Sequence, residues 1–252
     1  MRNSLLSAIP AIILLLSGCT GRSGIVHFWD KLDTSVTSEN YSESEDRFAG
    51  FAELAADAPY QEAAAAIDRL FNKLSSDEVS YLVYSEWVVS AFHSILSPVR
   101  SPELFAKAVD RFVSDGIISG GELEPLQELA AKDRLNLTGS ECTLPELTLE
   151  DGSPVHWSAG SETVFAVVNL DCATCVGALY ALSGEAGEHV ALCYGQTPAP
   201  VVPGWEYRYS PALDKVFDLD AAPFWFSVNA DGLVQTPYSP IPHKEFATPD
   251  NI

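Results

Sequence analysis

The chain has 252 residues, 47% hydrophobic and 19% charged, with 10% aromatic, enough apolar content for a packed core and too much for wholesale disorder. Its 14 Lys and Arg stand against 35 Asp and Glu, a formal net charge of −21, which excludes nucleic acid as a partner and disfavours binding to anionic lipid headgroups by charge, because both are held by clustered cations. The length allows one large or two small domains.

Residues 1–18 start with a cation at Arg2 and hold an apolar run over 8–16 that is broken by Pro10 and too short to span a bilayer. They read as an export signal. The run closes in Leu16-Ser17-Gly18-Cys19, which resembles a bacterial lipobox. That resemblance implies cleavage before Cys19 and lipid attachment to its thiol, a signal peptide and a lipoprotein held on a membrane by several acyl chains. The expected location is the bacterial cell envelope, facing the periplasm. Thr20 follows Cys19 where inner-membrane retention is associated with Asp, which by analogy favours the outer membrane. Loss of Arg2 takes the exported body to −22.

Residues 19–43 are read as a tether with an apolar anchor at Ile25, Val26, Phe28 and Trp29, docked onto the body. A helical domain is expected over 44–138. Phe48, Phe51, Ala52 and Ala55, then Ala63, Ile67, Leu70, Phe71 and Leu74, recur at spacings of three and four, the stripe of a core-facing helix. Pro59 separates these two, and Ser75-Ser76-Asp77-Glu78 starts a third helix, rich in aromatics, through Tyr81, Tyr84, Trp87 and Phe92. Ser101 and Pro102 open a fourth, and a last one is expected over 122–131. Nothing here gathers nucleophile, base and acid, and His93 reads as a packing or surface residue.

After Gly139 extended runs take over, at 144–149, 163–170, 190–194, 224–228 and 233–236, with a helix over 174–187 as a βαβ crossover. Val164 to Val168 is nearly continuously apolar, as for a strand covered on both faces. Asn229-Ala230-Asp231-Gly232 is a hairpin signal. The chain is therefore α+β in two parts: an all-α N-terminal domain, then an α/β domain over 139–252. Residues 237–242, with three prolines, are expected to interrupt its end.

The chemistry is expected at Cys172-Ala173-Thr174-Cys175, directly after the buried strand and opening the helix. A thiol at a helix N-terminus is stabilised as thiolate by unpaired N–H groups and the dipole, and the second Cys can resolve a mixed disulfide formed by the first. A structural disulfide, or half of a zinc site, are the alternatives for this pair. Cys142 and Cys193 read first as packing thiols, with a bridge between them as the alternative. Asp171 is expected to oppose thiolate formation at Cys172, keeping its pKa not far below that of a free thiol, since only Arg208, Lys215 and Lys244 supply cations from Ser140 onward.

The segment 139–237 resembles the thioredoxin-like lipoproteins that include periplasmic thiol–disulfide reductases of the TlpA and ResA kind. Three motifs carry the likeness: Thr143 to Val155 as an opening hairpin, the strand with its CxxC, and Ala222-Pro223-Phe224-Trp225-Phe226 followed by Asp231-Gly232. With the helical part and the lipobox, the whole is similar to a Bacteroidota group whose helical region has no assigned function. The resemblance implies that Ala222 and Pro223 form a cis-proline loop lining the substrate groove. It implies a membrane-anchored oxidoreductase that reduces or isomerises exported proteins carrying disulfides or thiols, with a membrane redox donor as second partner. No cofactor and no metal are expected. A noncatalytic binding or scaffold lipoprotein with a thioredoxin fold is the alternative. The sequence departs from the reductases at Leu170-Asp171, where an aromatic is usual, and in having no Pro between the cysteines.

Overall fold

A computed structural model describes residues 24–241. The expectations for residues 1–18 and for lipidation at Cys19 lie outside the described residues.

The first half is helical. The helices are α1 (Tyr41–Asp57), α2 (Tyr60–Leu74), α3 (Glu78–Phe92), α4 (Pro102–Asp115) and α5 (Leu123–Asp133). Their apolar stripes meet in one core built on Phe51, Phe71, Tyr81, Tyr84, Phe105 and Phe112, all fully buried. Local chemistry fixes the ends. Ser101 caps α4 by accepting the Leu104 N–H, Pro102 fills the first turn where no amide partner is needed, and Gly116 closes the helix at φ +67°. Residues 25–36 lie on this core. Trp29 is fully buried, and Lys73 Nζ donates to the carbonyls of Trp29 (2.8 Å) and Leu32 (2.7 Å).

The second half is a seven-stranded mixed sheet. Its strands are β1 (Leu147–Thr148), β2 (Pro154–Val155), β3 (Thr163–Asn169), β4 (Glu188–Tyr194), β5 (Trp205–Tyr209), β6 (Phe224–Val228) and β7 (Val234–Pro240), in the order β2-β1-β5-β4-β3-β6-β7. β3, β4 and β5 run parallel, while β6 and β7 are antiparallel additions on the β3 side. Helix α6 (Ala173–Leu182) makes the crossover from β3 to β4, and a one-turn α7 (Leu213–Val216) follows β5.

Side-chain alternation divides the sheet into two faces. Phe165, Val167, Val190, Leu192, Phe224 and Phe226 pack on one face with α7 and Phe217. Val164, Ala166, Val168, Ala191 and Cys193 pack on the other, under Cys175, Leu179 and Leu182 of α6. Burial on both faces explains the near-continuous apolar run in β3.

Two expectations fail. Residues 237–240, read as a break, continue β7, because an edge strand tolerates the missing N–H of Pro237 and Pro240. The crossover helix stops at Leu182 rather than running to 187. The sequence reading also missed β5 and α7. Among the described residues no helix is long and apolar enough to cross a membrane.

The two halves are joined through Arg100, in the segment between α3 and α4. Its guanidinium donates to the Tyr238 carbonyl (2.7 Å), lies 3.9 Å over the Tyr238 ring, and donates to the Asp133 carboxylate (3.3 Å). Ile95 and Leu135 of the helical half pack beside the sheet core on the same side.

Candidate functional site

At the C-terminal end of β3 the Asn169 carboxamide oxygen accepts the Asp171 N–H at 2.9 Å, which turns the chain out of the strand. Cys172 then occupies the N-cap position of α6, with extended backbone, and its carbonyl accepts the Val176 N–H at 3.2 Å. Its thiol stands where the first helical amides have no partner within the helix. Cys172 is partly exposed, whereas Cys175, one turn in, is buried and packs among the α6-side core residues. Both are free thiols.

The two thiols titrate in opposite directions. The Cys175 backbone N–H, then the Cys175 thiol, donate toward Cys172 and, with further donation from Thr174, hold its pKa below the ordinary value against the cost of desolvation. Burial pushes the Cys175 thiol up to about 11, and the neighbouring Cys172 sulfur adds to that rise. One sulfur is set to ionise and the other to stay protonated.

Asp171 is not among the groups with the largest effect on Cys172. Its carboxylate accepts the Thr197 hydroxyl (2.7 Å), the Thr197 N–H (2.8 Å) and the Gln196 N–H (3.0 Å), which hold it below the usual carboxylate range. The carboxylate anchors the β4–β5 loop, and the donors of the α6 first turn set the direction at Cys172. Gly195 is required at this contact. Its φ is +107°, and an added Cβ would stand 2.9 Å from both Asn169 Oδ1 and Asp171 Oδ2.

The Ala222–Pro223 peptide is cis. Pairing of Val167 with Phe224 places it alongside the end of β3, on the approach to the CxxC. The segment that leads into it is held by its neighbours: Tyr194 donates its hydroxyl to the Leu219 carbonyl (3.0 Å), and Tyr238 donates to the Asp218 carbonyl (2.7 Å). Burial pushes the Tyr194 phenol up to about 12, with contributions from the Cys175 and Cys172 charges. Tyr194 thus holds the segment ahead of the proline from within electrostatic reach of the thiol pair, a position the sequence reading did not assign.

The remaining thiols are separate. Burial pushes Cys142 and Cys193 each up to about 12. They pack on opposite faces of the sheet and are free, so no bridge joins them. His189 is a packing residue that lies 3.2 Å from the Leu182 carbonyl and tilts against Trp205. His93, read as packing or surface, does pack, against Phe105, and stands half-buried between two carboxylates. Among the described residues no group of three or more His, Cys, Asp or Glu side chains is disposed to hold a metal ion.

Among solved structures the chain is similar to a thioredoxin-like protein from Bacteroides caccae ATCC 43185, with a TM-score of 0.72 at 14% identity over 94% of each chain. At that identity the likeness establishes the fold: a thioredoxin-like α+β fold, here with helices ahead of the sheet. The coverage extends the likeness to the helical half. No family model matches the sequence, and no curated protein matches it.

Proposed function

We propose that this protein is a thiol–disulfide oxidoreductase of the bacterial cell envelope, anchored by lipid at Cys19, that reduces or isomerises disulfides of exported proteins. The observation that carries the reading is the placement of one CxxC: a partly exposed Cys172 at the N-cap of α6, a buried Cys175 one turn in, and the cis Ala222–Pro223 peptide beside the end of β3; the opposed shifts of the two thiols agree with it. A structural disulfide has no need of such an arrangement.

The exchange follows from that geometry. The Cys172 thiolate attacks one sulfur of a substrate disulfide; the new S–S bond forms as the old one breaks, and the departing substrate thiolate takes a proton from water. Once Cys172 is bonded, its charge no longer raises Cys175, so the Cys175 pKa falls as the mixed disulfide forms. Cys175 then gives its proton to solvent and attacks Cys172 Sγ, which releases the second substrate thiolate. The substrate gains two electrons and the protein is left with a Cys172–Cys175 disulfide. A dithiol donor at the membrane must reduce it for the next cycle. Isomerisation needs no net electrons, because the substrate's own thiol displaces Cys172. In this reading Ala222 and Pro223 line the groove and present backbone to an extended substrate segment.

Replacement of Cys175 by Ser removes the resolving thiol. Expressed in its native envelope, the variant is expected to accumulate Cys172-linked mixed disulfides, seen as reducible adducts on gels and absent from Cys172→Ser. The scaffold reading expects neither adducts nor disulfide reduction by the wild-type chain, and that pair of results would sink the enzyme.

A further inference from the structure

A buried charged cluster sits between the two halves, next to the segment that ends in cis-Pro223. His93 caps the C-terminal end of α3 and is largely buried against Phe105 of α4, with ring centroids 4.5 Å apart. Its Nδ1 lies 3.2 Å from Asp133 of α5, and its Nε2 lies 3.4 Å from Asp218, in the segment after α7. Arg100 donates to the His93 carbonyl (2.9 Å) and to Asp133. Tyr238 of β7 closes the cluster from the sheet side, and Lys132 adds a positive charge near Asp218. The charged and titratable groups facing His93 are thus Asp133, Asp218, Arg100 and Tyr238, with Lys132 behind Asp218.

Asp218 is also the cap of a single 3₁₀ turn. Its carboxylate accepts the Asp220 N–H at 3.2 Å, and the turn, Leu219–Ala221, ends at Ala222. The chain of contacts therefore runs from the helical half, through the His93 imidazole and the Asp218 carboxylate, to the peptide bond of the groove. A neutral imidazole carries one N–H and can donate to one of the two carboxylates; an imidazolium donates to both.

We propose that His93 is a positioning residue for the groove: in its charged form it bridges Asp133 and Asp218, and through the Asp218-capped turn it holds Ala222–Pro223 in register with Cys172. The role rests on the exchange function proposed above. It gives the helical half a mechanical part in substrate binding, and it makes groove order depend on pH. Burial alone would lower the His93 pKa; the two carboxylates outweigh it and hold the pKa above the ordinary value. The His93 side of the bridge is therefore complete below about pH 6.5, down to about pH 4 where the carboxylates begin to protonate, and is lost as pH rises through the raised value.

His93→Gln keeps a hydrogen-bonding side chain without the charge, and Asp218→Asn keeps an acceptor for the cap. For reduction of a fluorescent disulfide-linked peptide at pH 6, either variant is expected to raise KM about fivefold, a coupling of about 1 kcal/mol, with the change falling on KM rather than kcat. Wild-type KM is expected to climb with pH while that of His93→Gln stays flat. Equal KM and equal pH dependence in wild type and both variants would overturn the proposal and leave the exchange function intact. If the wild type reduces no disulfide, the exchange function fails and hydrogen exchange decides the positioning alone. The amides of residues 219–222 should exchange faster in both variants, with β3 amides unchanged as the control for folding. Identical exchange at 219–222 overturns the proposal whatever the activity, and Asp218→Asn carries the test should His93→Gln fail to fold.

Discussion

Cys172 and Cys175 are the same residue type three positions apart, and position alone separates their chemistry. Cys172 stands outside the first turn of α6, where donors converge and water reaches it; Cys175 stands inside, where burial disfavours charge and pushes its thiol up to about 11. Cys142 and Cys193, at about 12, are raised by burial alone. The four thiols therefore form a graded set. Limiting iodoacetamide at pH 7 is expected to label Cys172 first, with Cys175, Cys142 and Cys193 labelled only after denaturation. Peptide mapping by mass spectrometry checks the order, and early labelling of Cys175 would contradict the assignment of roles. Asp171 has a second role that its place in the sequence does not show: its carboxylate accepts three donors of the β4–β5 loop and anchors that loop beside the thiol pair.

The elements are held by short-range devices, and one of them reaches beyond its own helix. Asp77 caps α3 by accepting the Ser80 N–H (3.1 Å) and the Ser80 hydroxyl (2.6 Å), while Ser80 Oγ accepts the Val36 N–H (2.7 Å). The cap thus also orients the group that pins the N-terminal segment. Asp77→Ala is expected to lower unfolding free energy by about 1 kcal/mol, with faster hydrogen exchange at Val36; urea denaturation and exchange measure the two effects, and a change in stability without one at Val36 would separate them. Devices of this kind are visible in sequence, which is why the five N-terminal helices and the strand ahead of the CxxC could be read from it. Ser101-Pro102 and the stripe of α2 need no tertiary knowledge. β7 did, because Pro237 and Pro240 break a central strand and are harmless only at the sheet edge, a fact of topology. β5 carries a legible alternation, Trp205, Tyr207 and Tyr209 against Glu206 and Arg208, yet it is short and follows Pro198, Pro200 and Pro203, which give no strand signal. The thiol pair was legible because its members are neighbours. Asp218 and His93 were not, since a helix end and a loop after α7 meet only when the halves dock.

At the scale of the molecule, the docking surface is a charge balance. With His93 protonated, two cations, His93 and Arg100, face two carboxylates, Asp133 and Asp218. Without that proton Arg100 still pairs with Asp133, while Asp218 loses its hydrogen-bonded cation and keeps only the more distant Lys132, and a poorly paired charge there is costly. The sign of the pH dependence follows. The His93 pKa is raised in the folded protein, so its contribution is complete below about pH 6.5 and is lost as pH rises through the folded value. The His93 contact, more than the cost of burial, lowers the Asp218 pKa, so its contribution is present above about pH 4 and is lost as pH falls through the folded value. The two windows overlap between about pH 4 and 6.5, where the joint between the halves is strongest. Thermal melts across pH 4 to 9 are expected to show the melting temperature of the wild type falling on the alkaline side of that window. His93→Gln should melt lower inside it and lose most of the alkaline decline. A variant whose profile runs parallel to the wild type across the whole range would place the pH dependence outside the His93 cluster.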